Sequence, residues 1–142
     1  MGTIREARER LAELAPSLNP EMYGRLKAEL DTAEKTARSH AEQFVNQQLE
    51  RVDARRHELL VEVCSVRDSY SSLRDESALG RLSGDEYGSR LQDLDTRRDR
   101  AEARLADVER ELDRLGGIED DPVGWSDEQF RRYPSIAPTF SF

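Results

Sequence analysis

The chain has 142 residues, of which 37% are charged and 36% hydrophobic, and its formal net charge is −8. A compact globular domain carries fewer charges and more apolar residues, so this composition excludes a large globular core. The composition is typical of long helices that bury one narrow stripe, or of a disordered chain. The acidic balance, with acids and bases interleaved along the chain, argues against direct nucleic-acid binding.

The cysteine and hydropathy patterns bear on where the protein works. A single cysteine, Cys64, excludes an intramolecular disulfide, which is typical of a protein from a reducing cytoplasm. No apolar run approaches the roughly 20 residues that cross a bilayer, and the N-terminal residues lack the apolar segment of a signal peptide. We therefore expect a soluble, cytoplasmic protein without a membrane partner.

The N-terminal segment, residues 1–18, is predicted to contain one short amphipathic helix. Over residues 3–15 the apolar side chains recur three and four positions apart, which places them on one helical face, and Pro16 ends the helix. Asn19 is then suited to cap a second helix, because its side chain can accept a backbone N–H and Pro20 fits the first helical position.

The longest predicted helix runs from Pro20 to about Ala78 without an internal proline. Its second half carries apolar residues at alternating spacings of four and three, which is the heptad pattern of a coiled coil, and disorder does not produce such ordering. Arg56 occupies the one seam position that is not apolar. The other seam residues are Val45, Leu49, Val52, Leu59, Val63, Val66, Tyr70 and Leu73.

A turn is predicted at residues 79–85. Gly80 can adopt the left-handed conformation that ends a helix. Ser83 and Glu86 have the spacing of a capping box, which marks the start of the next helix. The two signals together predict a helix end followed at once by a helix start.

The next helix is predicted to stop at Leu115, before Gly116 and Gly117. Two apolar seams joined by a short turn pack antiparallel, since each alone leaves its stripe in water. The predicted fold is therefore all-α: a long antiparallel two-helix coiled-coil hairpin over residues 19–115, in which positions summing to about 164 face each other. The second seam consists of Tyr87, Leu91, Leu94, Ala101, Leu105, Val108, Leu112 and Leu115, with Arg98 as its exception.

Two interpretations are open for Arg56 and Arg98. A long arginine side chain can reach out of a seam and pair with flanking acids such as Asp95, Asp107 or Glu109. Alternatively, a polar residue at a coiled-coil core position fixes the register and the number of helices. Both roles are structural.

The C-terminal tail, residues 116–142, holds five of the nine aromatic residues and three prolines. Ser126 and Gln129 have the capping-box spacing, which predicts a short helix near 127–133 before a Pro-rich end. The tail either folds back onto the first part of the long helix and the N-terminal helix, or docks on another protein. The first interpretation is favoured for residues 125–133 and the second for residues 136–142. Its candidate partner-binding residues are Trp125, Phe130, Tyr133, Ile136, Phe140 and Phe142.

A second candidate surface precedes the matched seams. The second arm of the hairpin ends opposite about residue 49, so the apolar side chains before that point are predicted to stay uncovered. Such an exposed stripe is predicted to mediate self-association. Its members are Leu26, Leu30, Ala33, Ala37 and Phe44.

The sequence shows no catalytic constellation. His57 begins a stretch that resembles a zinc-binding helix, but Val61 stands where the second histidine ligand is required. The many carboxylates are typical of a solvated helix surface, and a two-stranded coil has no desolvated cleft in which they could act as acids or bases. We expect no enzyme activity, cofactor, metal or small-molecule substrate.

The hairpin tip, Gly-Arg-Leu-Ser-Gly-Asp-Glu-Tyr at residues 80–87, resembles the tip of the Gre-type transcript cleavage factors, whose acidic coiled-coil finger enters RNA polymerase. The resemblance covers at most residues 80–112, and Arg81 stands where that family has its first acid. It implies a finger-like regulator of a larger enzyme, with Asp85 and Glu86 as the tip residues.

Three hypotheses about function follow. The first is a non-catalytic interaction or scaffold protein that binds a protein partner, including a second copy of itself, through the hairpin base and the tail. The alternatives are a capsid-type assembly scaffold, which also tends to be acidic, helical and elongated, and the finger-like regulator.

Overall fold

A computed structural model describes residues 2–142, and four α-helices make up most of them. Two short 3-10 turns, Ala15–Ser17 and Pro134–Ile136, follow the first and the fourth helix. The second and third helices pack against each other, which confirms the predicted all-α helical hairpin. The helices are α1 (Ile4–Leu14), α2 (Pro20–Ala78), α3 (Gly84–Asp120) and α4 (Pro122–Arg132).

The chain divides into two compact units. The hairpin unit is Leu49–Arg114, and the terminal unit is the chain up to Gln48 together with Leu115–Phe142. The N-terminal helix and the C-terminal tail therefore belong to the same unit, although they lie at opposite ends of the sequence.

The hairpin unit buries its seams with a period of seven residues. The alternate seam positions, such as Tyr70 and Leu105, are only half-buried at the edge of the interface. This is the burial expected of a seam covered by one neighbouring helix. The buried members are Val52, Leu59, Val66 and Leu73 of α2 and Leu94, Ala101 and Val108 of α3.

Polar contacts between the two arms match the predicted register. The Tyr70 hydroxyl donates a hydrogen bond to the Asp95 carboxylate. This hydrogen bond, followed by burial, raises the pKa of Tyr70, whereas the positive charge of Arg98 acts in the opposite direction. Two ion pairs also join the arms, Arg90 to Glu76 at 3.0 Å and Arg97 to Glu62 at 3.0 Å.

The two seam arginines point into solvent. Arg56 and Arg98 are both exposed. The Arg98 guanidinium lies 3.7 Å from the Asp95 carboxylate and 3.3 Å from that of Asp99. For Arg98 this is the first of the two interpretations, in which the side chain leaves the seam and pairs with flanking acids.

The turn between α2 and α3 lies where the sequence predicts it. Gly80 has a φ of 69°, and the Arg81 N–H donates to the Glu76 carbonyl at 3.0 Å, which closes the end of α2. The Ser83 hydroxyl oxygen then accepts the Glu86 N–H at 3.1 Å and opens α3.

The predicted end of α3 at Leu115 is wrong. The helix continues through Gly116 and Gly117 to Asp120. Each glycine costs a helix about 1 kcal/mol relative to alanine. The burial of Ile118 inside the terminal unit, together with the backbone hydrogen bonds of an uninterrupted helix, offsets this cost.

The predicted start of the tail helix near residue 127 is also wrong. The cap of α4 is Asp121, whose carboxylate accepts the Gly124 N–H at 3.1 Å, and Pro122 takes the first helical position. Ser126 lies inside the helix and donates its hydroxyl to the Ala37 carbonyl at 3.2 Å. The capping-box spacing at Ser126 is therefore coincidental.

Candidate interaction surfaces

The terminal unit is built around an apolar cluster from α1 and the first part of α2. The apolar face of α1 lies on the face of α2 that precedes the hairpin unit, and the tail packs against both. The buried members are Ile4, Ala7, Leu11, Leu26, Leu30 and Ala37, and the partly buried side chains around them are Leu18, Ala33, Val123, Phe130, Phe140 and Phe142.

The stripe predicted to mediate self-association is not exposed. Leu26, Leu30 and Ala37 keep at most 5% of their surface, and Ala33 and Phe44 are partly buried. The prediction is wrong because α1 and the tail, which the sequence left free to pack on this part of α2, cover the stripe.

The aromatic tail folds back along the terminal unit. The Trp125 ring stacks on Phe44 with 4.8 Å between centroids and 27° between planes. At the end of the chain, Phe140 and Phe142 pack on the apolar cluster with 5.6 Å between their centroids. The Ser141 N–H donates to the Glu29 carboxylate at 2.9 Å. Four of the six tail residues predicted to bind a partner therefore pack against the chain itself.

A buried carboxylate fastens α1 to α4. Asp127 keeps only 2% of its surface. Its two oxygens accept the Ile4 N–H at 2.7 Å and the Arg5 N–H at 3.2 Å. These two amides belong to the first turn of α1, where N–H groups have no partner within the helix. The negative charge also lies at the positive end of the α1 dipole. Sequence reasoning missed this contact because no local pattern pairs residue 4 with residue 127.

A second carboxylate on the same side contacts α1. Asp121 pairs with the Arg5 guanidinium at 2.7 Å. The hydrogen bond from the Gly124 N–H, followed by the bond to Arg5, lowers the pKa of Asp121 below its usual 3.8. The pair is more than half exposed, so its contribution to stability is small.

Two of the predicted tail residues remain in water. Tyr133 is 57% exposed and Ile136 is 60% exposed. The Ile136 N–H donates to the Tyr133 carbonyl at 3.0 Å across the 3-10 turn that begins at Pro134. These two exposed apolar residues, joined by that backbone hydrogen bond, are here called the tail patch.

The terminal unit also contains a groove of about 350 Å³ between α2 and the end of α3. Its floor is apolar and buried, and consists of Ala41, Val45 and Ile118. Polar side chains, including Arg38 and Glu119, form its rim. An apolar floor with a polar rim is the usual form of a site that accepts one side chain of a partner.

The hairpin tip presents both acidic and apolar side chains. Asp85 and Glu86 are exposed in the first turn of α3. Leu79, just after the end of α2, is 65% exposed. The tip therefore offers an apolar contact near the two carboxylates that the sequence resemblance singles out.

Comparisons with known proteins add no function. No protein-family model, no curated protein and no solved structure matches this chain.

Within residues 2–142, no three His, Cys, Asp or Glu side chains are grouped so that they could hold a metal ion. In the same part of the chain, every helix is too short or too polar to cross a membrane.

Proposed function

We propose that this chain is a non-catalytic, cytoplasmic interaction protein that binds a protein partner through the tail patch. The observation that supports this proposal is the exposure of Tyr133 and Ile136, at 57% and 60%, in a tail whose other aromatic side chains pack inward. Tyrosine is among the residues that contribute most at protein interfaces, because it brings a large apolar area and a hydroxyl on a stiff side chain.

Backbone hydrogen bonds and a proline hold the tail patch in the unbound chain. Pro134 begins the 3-10 turn, and the α4 end precedes it with the Tyr133 N–H bound to the Gln129 carbonyl at 2.8 Å. A surface that is already fixed loses little conformational entropy on binding, so more of the contact energy remains as affinity.

The charge around the tail patch indicates what kind of partner fits. Arg131 and Arg132 are exposed directly before it, in a chain whose net charge is −8. The Arg132 guanidinium lies 3.5 Å from the Glu128 carboxylate, whereas Arg131 makes no ion pair within the described residues. We therefore expect a partner surface with an apolar pocket bordered by carboxylates.

Affinity purification with matched variants tests the proposal. The full chain carries Tyr133→Ala with Ile136→Ala in one sample, and Leu79→Ala, an equally exposed leucine of the hairpin unit, in a control sample. We expect a protein that is retained by the native chain and by the control but lost from the double variant, with unchanged helicity by circular dichroism. Partners retained equally by all three chains would contradict the proposal.

The exposed Leu79 favours one second candidate, the finger-like regulator. In that case the tip would make the contact, and its apolar side chain would enter the partner beside Asp85 and Glu86. The same purification distinguishes the two candidates, because the Leu79→Ala chain, or an Asp85→Ala and Glu86→Ala chain, would then lose the partner while the tail variant would retain it.

A further inference from the structure

α2 carries a second apolar face in the hairpin unit, on the side that does not pack against α3. Leu60 and Val61 are 44% and 56% exposed, and the Cys64 thiol is exposed as well. His57 and Asp68 flank them on the same side of α2. These positions recur at helical spacing, so they form one continuous strip, here called the back face.

The remaining side chains along the back face are small. Ser65 lies in the C-terminal half of the back face, while Ser69 and Ser72 lie at its edge, where they also line a groove shared with α3. Large apolar side chains thus occupy one half of the strip and small ones the other. In a chain that is 37% charged, this is an unusually uncharged surface, and small residues let a second helix approach closely.

We infer that the back face binds the back face of a second copy of this chain, with the two α2 helices antiparallel. A twofold axis between residues 62 and 63 places His57 of one copy opposite Asp68 of the other, and Val61 opposite Cys64. The imidazole can donate a hydrogen bond to the carboxylate. Because a twofold interface is made of the same patch twice, each of these contacts forms twice.

The residues of the strip select this arrangement over a parallel one. A parallel pair of helices would place Asp68 on Asp68, and like charges facing each other are unfavourable. It would also bring Val61 against Val61 and Ser65 against Ser65, so that large meets large and small meets small. The antiparallel pair matches the large half of one strip with the small half of the other.

The length of the strip sets the strength of the association. The part of the strip that pairs with the other copy, His57 to Asp68, is roughly 18 Å long at about 1.5 Å per residue. One such helix pair buries less area than a stable standard-size interface, so we expect a dissociation constant between about 10 µM and 1 mM.

This inference deepens the proposed interaction role and rests on it only in part. The tail patch belongs to the terminal unit and the back face to the hairpin unit. A chain that stays monomeric would overturn the inference but leave partner binding at the tail intact, and loss of the tail partner would leave the dimer intact.

Sedimentation equilibrium of the full chain at about 0.15 M salt, where repulsion between the two acidic copies is largely screened, tests the inference. We expect a monomer–dimer equilibrium for the native chain and a loss of at least tenfold in association for Val61→Asp. The control Leu79→Asp changes an exposed leucine outside the back face and leaves the equilibrium unchanged. A monomer throughout, or a dimer insensitive to Val61→Asp, overturns the inference.

A charge exchange tests the pairing itself. His57→Asp places two carboxylates opposite each other at both symmetry-related contacts, so association falls about tenfold. Adding Asp68→His to the same chain recreates the pair with its partners exchanged, and association returns to within about threefold of the native value. A double variant as weak as His57→Asp alone overturns the proposed register.

Cross-linking tests the direction of the helices. In a Cys64→Ser background, one chain carries His57→Cys and a second chain carries Asp68→Cys, and a short bifunctional maleimide joins neighbouring thiols. We expect the mixture to give cross-linked dimers of the two different chains, with at least tenfold less product from either chain alone. Preferential cross-linking of His57→Cys to itself indicates a parallel pair and overturns the inference.

Discussion

Replacing Asp127 by alanine is expected to release α1 from the terminal unit. The substitution removes the carboxylate that accepts the Ile4 and Arg5 N–H groups, at 2.7 and 3.2 Å. Ile4 is 1% exposed, so its N–H stays buried without a partner in the variant. The Arg5 N–H is only part-buried and water can replace its lost acceptor.

The expected cost follows from these contacts. A hydrogen bond to a charged group contributes about 1.5–3 kcal/mol, and a negative charge at a helix N-terminus adds about 0.3–1 kcal/mol. Counting the buried Ile4 bond in full and the Arg5 bond only in part gives about 2–4 kcal/mol for local opening of α1. Asp127→Asn keeps one accepting oxygen and loses the charge, so its cost lies between those of the native chain and the alanine variant.

Native-state hydrogen exchange measures this opening directly. The amides of α1 are expected to exchange about 30- to 700-fold faster in Asp127→Ala, since about 1.4 kcal/mol corresponds to a factor of ten. Amides around Val66 in the hairpin unit serve as the internal reference. Glu128→Ala, which removes an exposed carboxylate 3.5 Å from Arg132, is the matched control and should stay within about threefold. Exchange in α1 that changes by less than threefold in Asp127→Ala would refute the reasoning.

Two further predictions concern charge and backbone. The hydrogen bond from the Gly124 N–H, followed by the bond to Arg5, lowers the pKa of Asp121 in the folded chain below its usual 3.8. The ionised carboxylate therefore stabilises the fold above pH 3.8, and this stabilisation is lost as the pH falls through the lower pKa of the folded state. An NMR titration of the Asp121 carboxylate should have its midpoint below pH 3.8. Arg5→Gln should raise that midpoint part of the way to 3.8, because the Gly124 hydrogen bond remains. An unchanged midpoint in Arg5→Gln would show that the ion pair has no effect. Gly116→Ala should raise the free energy of unfolding by about 0.4–1 kcal/mol, because this glycine is helical and a Cβ there meets open space, whereas Gly80→Ala should lower the free energy of unfolding because φ is 69° there. Urea unfolding followed by circular dichroism measures both changes. A Gly116→Ala chain that is less stable than the native chain would contradict the continuous helix.

The hairpin could be predicted from the sequence because its determinants are local and repeated. Each seam residue lies three or four positions from the next, so the heptad pattern is visible without knowing any distant contact. At the turn, Gly80 ends one helix in the left-handed conformation and the Ser83 hydroxyl caps the next. Each of these interactions joins residues at most five positions apart. For the hairpin unit, sequence and structure therefore lead to the same register.

The terminal unit could not be predicted because distant segments determine it. Two glycines after Leu115 favour a helix end, and the buried site for Ile118, which the sequence does not reveal, favours a helix that continues. Similarly, Leu30 is apolar in a place that the second arm does not cover, and the sequence offers cover by α1 and the tail as one alternative to an exposed stripe without deciding between them. The Asp121-Pro122 pair was a readable start signal for α4, and the spacing at Ser126 competed with it.

The cover of the apolar stripe depends on both ends of the chain at once. An isolated helix of 11 residues such as α1 is too short to be stable in water, so it is helical because it packs on Leu30 and because Asp127 caps it. With the stripe closed in this way, the tail patch and the back face are among the apolar side chains that remain exposed, beside Met22, Tyr23 and Leu79. The two surfaces belong to different units, so on the two proposals above one chain holds a partner while it pairs with a second copy. A dimer then presents two tail patches, and a partner with two binding sites is held more tightly than by either patch alone, because the second contact forms within the complex.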